Sequence, residues 1–327
     1  MEITTIPVCD GIHAIDCHYI APEKMSVYLL VQEGRAAFVD VNTRFAAPRL
    51  LAALDAHGLK PEDVDHVFLT HVHLDHAGGA AEMLRHCPRA TLLGHPKAVR
   101  HACHPARLIE GARAVYGDTL FRQLYGEIEA VPEARARAVA DGKIFAWRGR
   151  PLRFFFTLGH ATHHACIHDP QTDTVFTGDN FGMGRSTRLR SGPGFTVCSC
   201  TPPEFDPAQA RRAVADILAT GARRACMGHF GPTEDLQGAA AQLLRAIDSM
   251  EAILRAALTT PLEGDALEAF ISERVVADAD THLRACGVLH FEEDRRWLDP
   301  DLAMNALGLR HAVERLRRKG HSAATSV

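Results

Sequence analysis

The chain has none of the features that mark a membrane span, a nucleic-acid binder or a disulfide-stapled scaffold. No apolar run in its 327 residues approaches the roughly 20 residues needed to cross a bilayer. Nor does a charged start lead into an apolar segment of signal-peptide length, so no membrane partner is expected. A net charge of -4 provides no global attraction to a polyanion, and a nucleic-acid partner is not expected either. Nine cysteines are an odd number and scattered, which points to a reducing compartment, the cytoplasm. Cys198-Ser199-Cys200 has no paired spacing of a structural zinc site and reads as two reduced thiols in a loop. No repeat of fixed period and no low-complexity tract is present. At this length one large domain or two can be accommodated.

The informative stretch is His71-Val72-His73-Leu74-Asp75-His76, preceded by Val67-Phe68-Leu69-Thr70 and followed by Ala77-Gly78-Gly79-Ala80. The apolar run predicts a buried strand and the glycines a tight turn into a helix, which puts four metal-capable side chains on one strand-to-helix loop. Imidazoles with a carboxylate suit zinc or another first-row divalent ion, and four donors in so short a loop suggest two ions. The pattern recurs downstream. Phe154 to Leu158 leads to Gly159-His160, Thr174 to Thr177 leads to Gly178-Asp179, and Ala222 to Met227 leads to Gly228-His229. Each short strand-like run stops at a glycine followed by a metal-capable residue, as expected of a site at one edge of a β scaffold.

In this order, with the strand pair around Tyr28-Val31 and Ala37-Asp40, the motifs resemble those of the metallo-β-lactamase-fold superfamily over residues 10 to 235. The resemblance implies an α/β fold, the αββα sandwich, carrying a C-terminal helical extension as in glyoxalase II. It also implies that His71, His73 and His160 hold one ion, that Asp75, His76 and His229 hold a second, and that Asp179 bridges them. Asp40 corresponds to an acidic residue that steadies a ligand histidine from behind, although Val41-Asn42 follow it in place of the usual Thr-Gly. The expected cofactor is a pair of divalent ions, Zn2+ first, with Mn2+ or Fe2+ as alternatives. The expected chemistry is hydrolysis of a small ester, thioester or lactone by a hydroxide shared between the ions, with Asp75 orienting it and carrying a proton to the leaving group. A phosphodiesterase on the same pair and an iron-dependent persulfide dioxygenase are the alternatives.

The domain boundary is expected near residue 235. Beyond it Leu243, Ile247, Met250, Leu254 and Ala257 recur at helical spacing, Pro261 ends that helix, and Asp299-Pro300 predicts the start of another. That region is expected to lie on the catalytic domain and help shape its pocket. His164 reads as a support for the site or a substrate-facing group, His163 as an exposed turn residue and His168 as structural. Tyr116 and Tyr125 fall in a segment where the superfamily often places a lid and are candidates for substrate contact. Arg185, Arg188 and Arg190 follow Asp179, and Arg85, Arg89, Lys97, Arg100 and Arg107 form a second basic segment, so the small-molecule substrate is expected to be anionic, read chiefly by Arg185 and Arg188. The oligomeric state is left open, a homodimer included.

Overall fold

The computed structural model describes residues 5–185, 192–202 and 204–324, with side chains as far as residue 318. Two β-sheets carry the architecture. The first is seven-stranded, in sequence order from edge to edge: β1 (Thr5–Cys9), β2 (Ile12–Asp16), β3 (Ser26–Gln32), β4 (Arg35–Val39), β5 (Val64–Phe68), β6 (Thr91–Gly94) and β7 (Ala136–Ala138). Hairpins join β1 to β4, and β4 through β7 run parallel. Parallel neighbours need crossovers, supplied by α1 (Ala47–Ala56), the short α2 (Leu74–Ala77), α3 (Ala80–His86), α4 (Pro96–Cys103) and α5 (Ala106–Tyr125). The second sheet contains β8 (Ile144–Trp147), β9 (Arg150–Phe156), β10 (Ala165–Asp169), β11 (Thr174–Arg185), β12 (Phe195–Val197), β13 (Arg224–His229) and β14 (Gly231–Thr233). Its order is β14-β13-β11-β10-β9-β8, and β12 pairs with the far half of β11. The turn at Asp169 to Asp173 closes the β10–β11 hairpin with Asp169 opposite Thr174.

Strand alternation decides which core each side chain joins. Leu29, Phe38 and Val67 face Leu50, Leu54, Met83 and Leu84 of the crossover helices. Their neighbours Tyr28, Leu30, Ala37, Val39 and Phe68 form a second core with Phe154, Ile167, Phe176 and Cys226 of the other sheet. Two hydrogen bonds tie the sheets where the later strands end: Tyr28 donates to the carbonyl of Met227 at 2.6 Å, and the Gly231 amide donates to Ser26 Oγ at 2.9 Å.

The chain forms two compact units. One comprises residues 1–156, 163–178 and 219–234, and the other 157–162, 179–218 and 235–327. The unit that holds the C-terminal helices therefore also takes in two earlier stretches, and a single cut near residue 235 does not describe it. Within it lie α6 (Pro207–Leu218), α7 (Leu236–Leu258), α8 (Gly264–Cys286) and α9 (Phe291–Ala324). Leu243, Ile247, Met250, Leu254 and Ala257 are all buried along one face of α7. Arg317 of α9 donates to the carbonyls of Ala257, Thr260 and Leu262 and so satisfies the end of α7. The predicted helix start at Asp299-Pro300 is corrected: Pro300 lies inside α9, which begins at Phe291 with Glu292, Glu293 and Asp294 in its first turn. These acids complement the helix N-terminus, so the helix begins there, a signal stronger than the later proline.

Candidate metal centre

Because β4, β5 and β6 are parallel, their carboxyl ends share one sheet edge, where open α/β folds place their ligands. Asp40 follows β4, Thr70 and His71 follow β5, and His95 follows β6. Asp40 and Asn42 both have positive φ, 59° and 56°, a conformation Asn and Asp tolerate better than other non-glycine residues. Asn42 thus makes the turn that the missing glycine would have made. The turn is strapped to the loop of candidate ligands: Val41 N donates to His76 O at 2.9 Å, Asn42 Nδ2 to Asp75 O at 2.8 Å, and Gly79 N to Asn42 O at 2.8 Å.

Hydrogen bonds dictate which imidazole nitrogens face inward. Asp40 accepts from Thr70 N at 2.8 Å and from Thr70 Oγ1 at 2.7 Å, and its Oδ2 lies 2.9 Å from His76 Nδ1. The His76 Nδ1 proton goes to that carboxylate, so the Nε2 lone pair projects away from it. Thr70 Oγ1, its own proton given to Asp40, accepts from His71 Nδ1 at 3.1 Å, which turns the His71 Nε2 lone pair toward His73 Nδ1, 3.1 Å away. Asp75 Oδ2 lies 3.4 Å from His229 Nε2 and 4.0 Å from His76 Nε2, and ligand atoms of Asp75, His76 and His229 lie within 4.8 Å of one another. Donors about 2.1 Å from a tetrahedral ion stand about 3.4 Å apart, so this set fits a divalent metal.

His160 and Asp179 belong to the other unit and stand together there, Nε2 to Oδ2 at 3.5 Å. His160 Nδ1 is 3.2 Å from Ser199 Oγ, and the His160 amide donates to Asn180 Oδ1 at 3.2 Å. Asn180 in turn donates to the Thr157 carbonyl and hydroxyl. Asn305 of α9 holds the Ser199 loop by accepting from Cys200 N at 2.6 Å and donating to Cys198 O at 2.8 Å. Ser199, Asn180 and Asn305 were not legible as site residues, because a hydroxyl or amide carries no spacing signature. Cys198 and Cys200 are free thiols with sulfurs 3.6 Å apart.

His163 is corrected from an exposed turn residue to a buried one. It is 8% exposed and accepts from Val72 N through Nδ1 at 3.4 Å, which braces the peptide between His71 and His73. His164 is fully buried and stacked on His71 with ring centroids 4.9 Å apart, so it does not face solvent. Gly178 makes room for it: a Cβ there would lie 2.5 Å from His164 Nε2 and 2.8 Å from Thr70 Oγ1, and its φ is 48°. Tyr125 is buried, accepts from Tyr19 Oη at 3.2 Å and meets Tyr116 edge-on at 5.6 Å. Burial, then the neighbouring phenols and Asp75, push its hydroxyl well above the ordinary range.

Arg185 has a different environment from the one expected of a substrate-reading cation. Its Nη1 donates to Asp294 at 2.9 Å and its guanidinium lies over the Trp297 ring, 5.1 Å from the centroid. Its charge is balanced within the unit. Arg188 and Arg190 fall outside the described residues. Arg85 is paired with Glu82 and Glu129.

Comparisons with known proteins show what this chain is similar to. A protein from Sulfurisphaera tokodaii, metallo-beta-lactamase fold-containing protein ST1585, is 28% identical over 180 residues, 53% of this chain and 64% of that one. Hydroxyacylglutathione hydrolase of Salmonella typhi is 30% identical over 49% of this chain and 48% of its own length. An atrochrysone carboxyl ACP thioesterase of Aspergillus fumigatus is 30% identical over 37% of this chain and 28% of its own. The chain thus spans between a quarter and two thirds of the length of these curated relatives. Among solved structures, metallo-beta-lactamase family protein TTHA1429 from Thermus thermophilus superposes with a TM-score of 0.61 at 22% identity, covering 96% of this chain and 95% of that one. The metallo-beta-lactamase superfamily pattern matches residues 22–248, more than half of the chain, and the chain belongs to that superfamily.

Proposed function

We propose that the protein is a dinuclear metallohydrolase that cleaves an ester, thioester or lactone. The observation that carries this reading is the nitrogen geometry: His71 Nε2 and His73 Nδ1 face one another at 3.1 Å, with the far nitrogen of His71 committed to Thr70. A shared proton or a cation can stand between two ring nitrogens this close, and the neighbouring donors Asp75, His76 and His229, within 4.8 Å of one another, suit a cation. In this reading His71, His73 and His160 hold one ion, Asp75, His76 and His229 hold another, and Asp179 serves both.

When bound, a pair of divalent ions acidifies water to near neutral pKa and polarises a carbonyl oxygen. The chain supplies the rest. Asp75, on the first turn of α2 with about a fifth of its side chain exposed, can accept a proton and pass it to a leaving alkoxide or thiolate. Thr70 and Asp40 hold the His71 and His76 imidazoles in one orientation, and His163 braces the Val72 peptide between His71 and His73, so little reorganisation is needed at turnover. The thioesterase and hydroxyacylglutathione hydrolase relatives support a thioester or ester over a phosphodiester. The cytoplasm remains the proposed compartment; no helix among the described residues is long and apolar enough to cross a membrane.

Elemental analysis of protein purified without added metal, with a panel of thioesters, lactones and phosphodiesters, tests the reading. About two zinc or manganese ions per chain and turnover of a thioester or lactone are expected. His76→Ala should retain one ion, and Asp179→Asn should lose metal and turnover together. A single iron with oxygen uptake would overturn the proposal.

A further inference from the structure

We infer that Cys198 and Cys200 form a reversible oxidation site: a hydroperoxide joins their sulfurs in a disulfide, which draws Ser199 away from His160 and weakens metal binding. Formation of the disulfide stands on the two thiols alone. Its effect on the metal rests on the reading of His160 as a ligand given above.

The two sulfurs are already in contact. Cys200 donates its S–H to Cys198 Sγ at 3.6 Å, and a single residue separates them. A disulfide holds its sulfurs about 2.05 Å apart, so closure shortens this contact by about 1.5 Å. Cys198 keeps 4% exposure and Cys200 none, and burial followed by the Cys198 sulfur pushes the Cys200 thiol well above its ordinary range. Cys198 is thus the sulfur that meets the oxidant, and Cys200 the one that resolves it. Burial slows the first step, because the thiolate is the reactive form. In that step the Cys198 sulfur attacks one peroxide oxygen, the O–O bond breaks, and a sulfenic acid and water result. Cys200 Sγ then attacks the sulfenic sulfur, the S–O bond breaks, and the hydroxyl leaves as water with the Cys200 proton. Two thiols lose two electrons, and one hydrogen peroxide is reduced to two waters. A dithiol reverses the change by exchange.

The residue between the thiols is Ser199, whose hydroxyl lies 3.2 Å from His160 Nδ1 and 3.2 Å from Thr201 Oγ1. By accepting from Nδ1 and giving its own proton to Thr201, it leaves the His160 Nε2 lone pair beside Asp179. The peptide groups on either side are pinned to α9. Asn305 accepts from Cys200 N and donates to Cys198 O, and a Cβ added at Gly308 would overlap the Cys200 carbonyl oxygen. With both flanks held, the contraction falls on Ser199, because a packed helix does not yield continuously. All of these residues belong to one compact unit.

The test uses full-length, metal-free protein treated with hydrogen peroxide. Trypsin releases residues 191–211, which contain these two cysteines and no other. After peroxide that peptide should be lighter by two hydrogens and resist alkylation. Zinc affinity, from chelator competition, should fall about 10- to 100-fold, and dithiothreitol should restore both. Cys198→Ala and Cys200→Ala should bind zinc like the reduced parent and ignore peroxide, whereas Ser199→Ala should start weak and lose little more on oxidation. If an alanine variant is unstable, the reversal in the parent still decides. No disulfide in that peptide, a disulfide with unchanged zinc affinity, or an equal loss in the two alanine variants would each overturn the inference. A reversible loss of zinc affinity in a protein that turns over no ester, thioester or lactone would sink the hydrolase reading and leave the switch standing. Turnover and zinc affinity that survive the disulfide unchanged would do the reverse.

Discussion

Asp40 binds no metal in this scheme, yet its one carboxylate organises Thr70, His71 through Thr70, and His76. Asp40→Asn should therefore keep the fold and weaken metal binding by about 10- to 100-fold, the usual effect of losing the group behind a ligand histidine. Competition with a chromophoric chelator measures it, and an unchanged affinity would mean that His76 is oriented without Asp40. Gly178→Ala makes a second test at the same scale. The new methyl would meet His164 and Thr70 at under 3 Å in a left-handed backbone conformation, a combination that costs about 1–3 kcal/mol. A lowered melting temperature with reduced metal content is expected, and a variant as stable and as well loaded as the parent would show that the neighbours can step aside.

At the scale of elements, β12 and α8 meet through His282, which is 3% exposed and donates Nε2–H to Thr196 O at 3.0 Å. Burial, followed by the charge of Arg245, lowers its pKa from the ordinary 6.5. The sign follows from linkage. Below about pH 6.5 the unfolded chain takes up a proton that folded His282 refuses, so stability is full above that pH and falls as the solution is acidified toward the folded pKa. Half-buried His66 and His168 shift the same way. Melting temperature should fall between pH 6.5 and pH 5, and His282→Gln, which retains an N–H donor without titrating, should shallow that fall. An identical slope in the variant would remove His282 from the account. The same element illustrates what patterning can and cannot predict. The apolar stripe of α7 was readable from its spacing, because helical periodicity is local. The start of α9 was misplaced, because capping acids and a proline compete and only the surrounding packing shows which prevails.

For the whole molecule, the second unit gathers segments from before and after residue 235, so removing the C-terminal helices should damage more than an appendage. α7 lies on α6 and β12, and Asn305 of α9 holds the loop that brings Ser199 to His160. Protein ending near Asp235 is expected to expose the partners of that apolar face, aggregate, and lose metal. A soluble truncation with parental metal content and kinetics would show that the first 235 residues suffice. In the other direction, Asn305→Ala in the full chain should loosen the Ser199 loop and reduce metal occupancy, measured by the same chelator competition.

The linear sequence determined the order and chemistry of the candidate ligands and the α/β class. Those properties follow from strand and helix periodicities and from the glycines that end the strands, all of which are local. Tertiary structure decided which nitrogen of each histidine turns inward, since that depends on hydrogen bonds to Asp40, Thr70 and Ser199 from separate parts of the chain. It also decided that His163 is buried and that Arg185 is paired with Asp294, 109 residues away. A residue's type sets what it can do, but its partners, and with them its protonation and orientation, are set by which distant segments the fold brings within hydrogen-bonding reach.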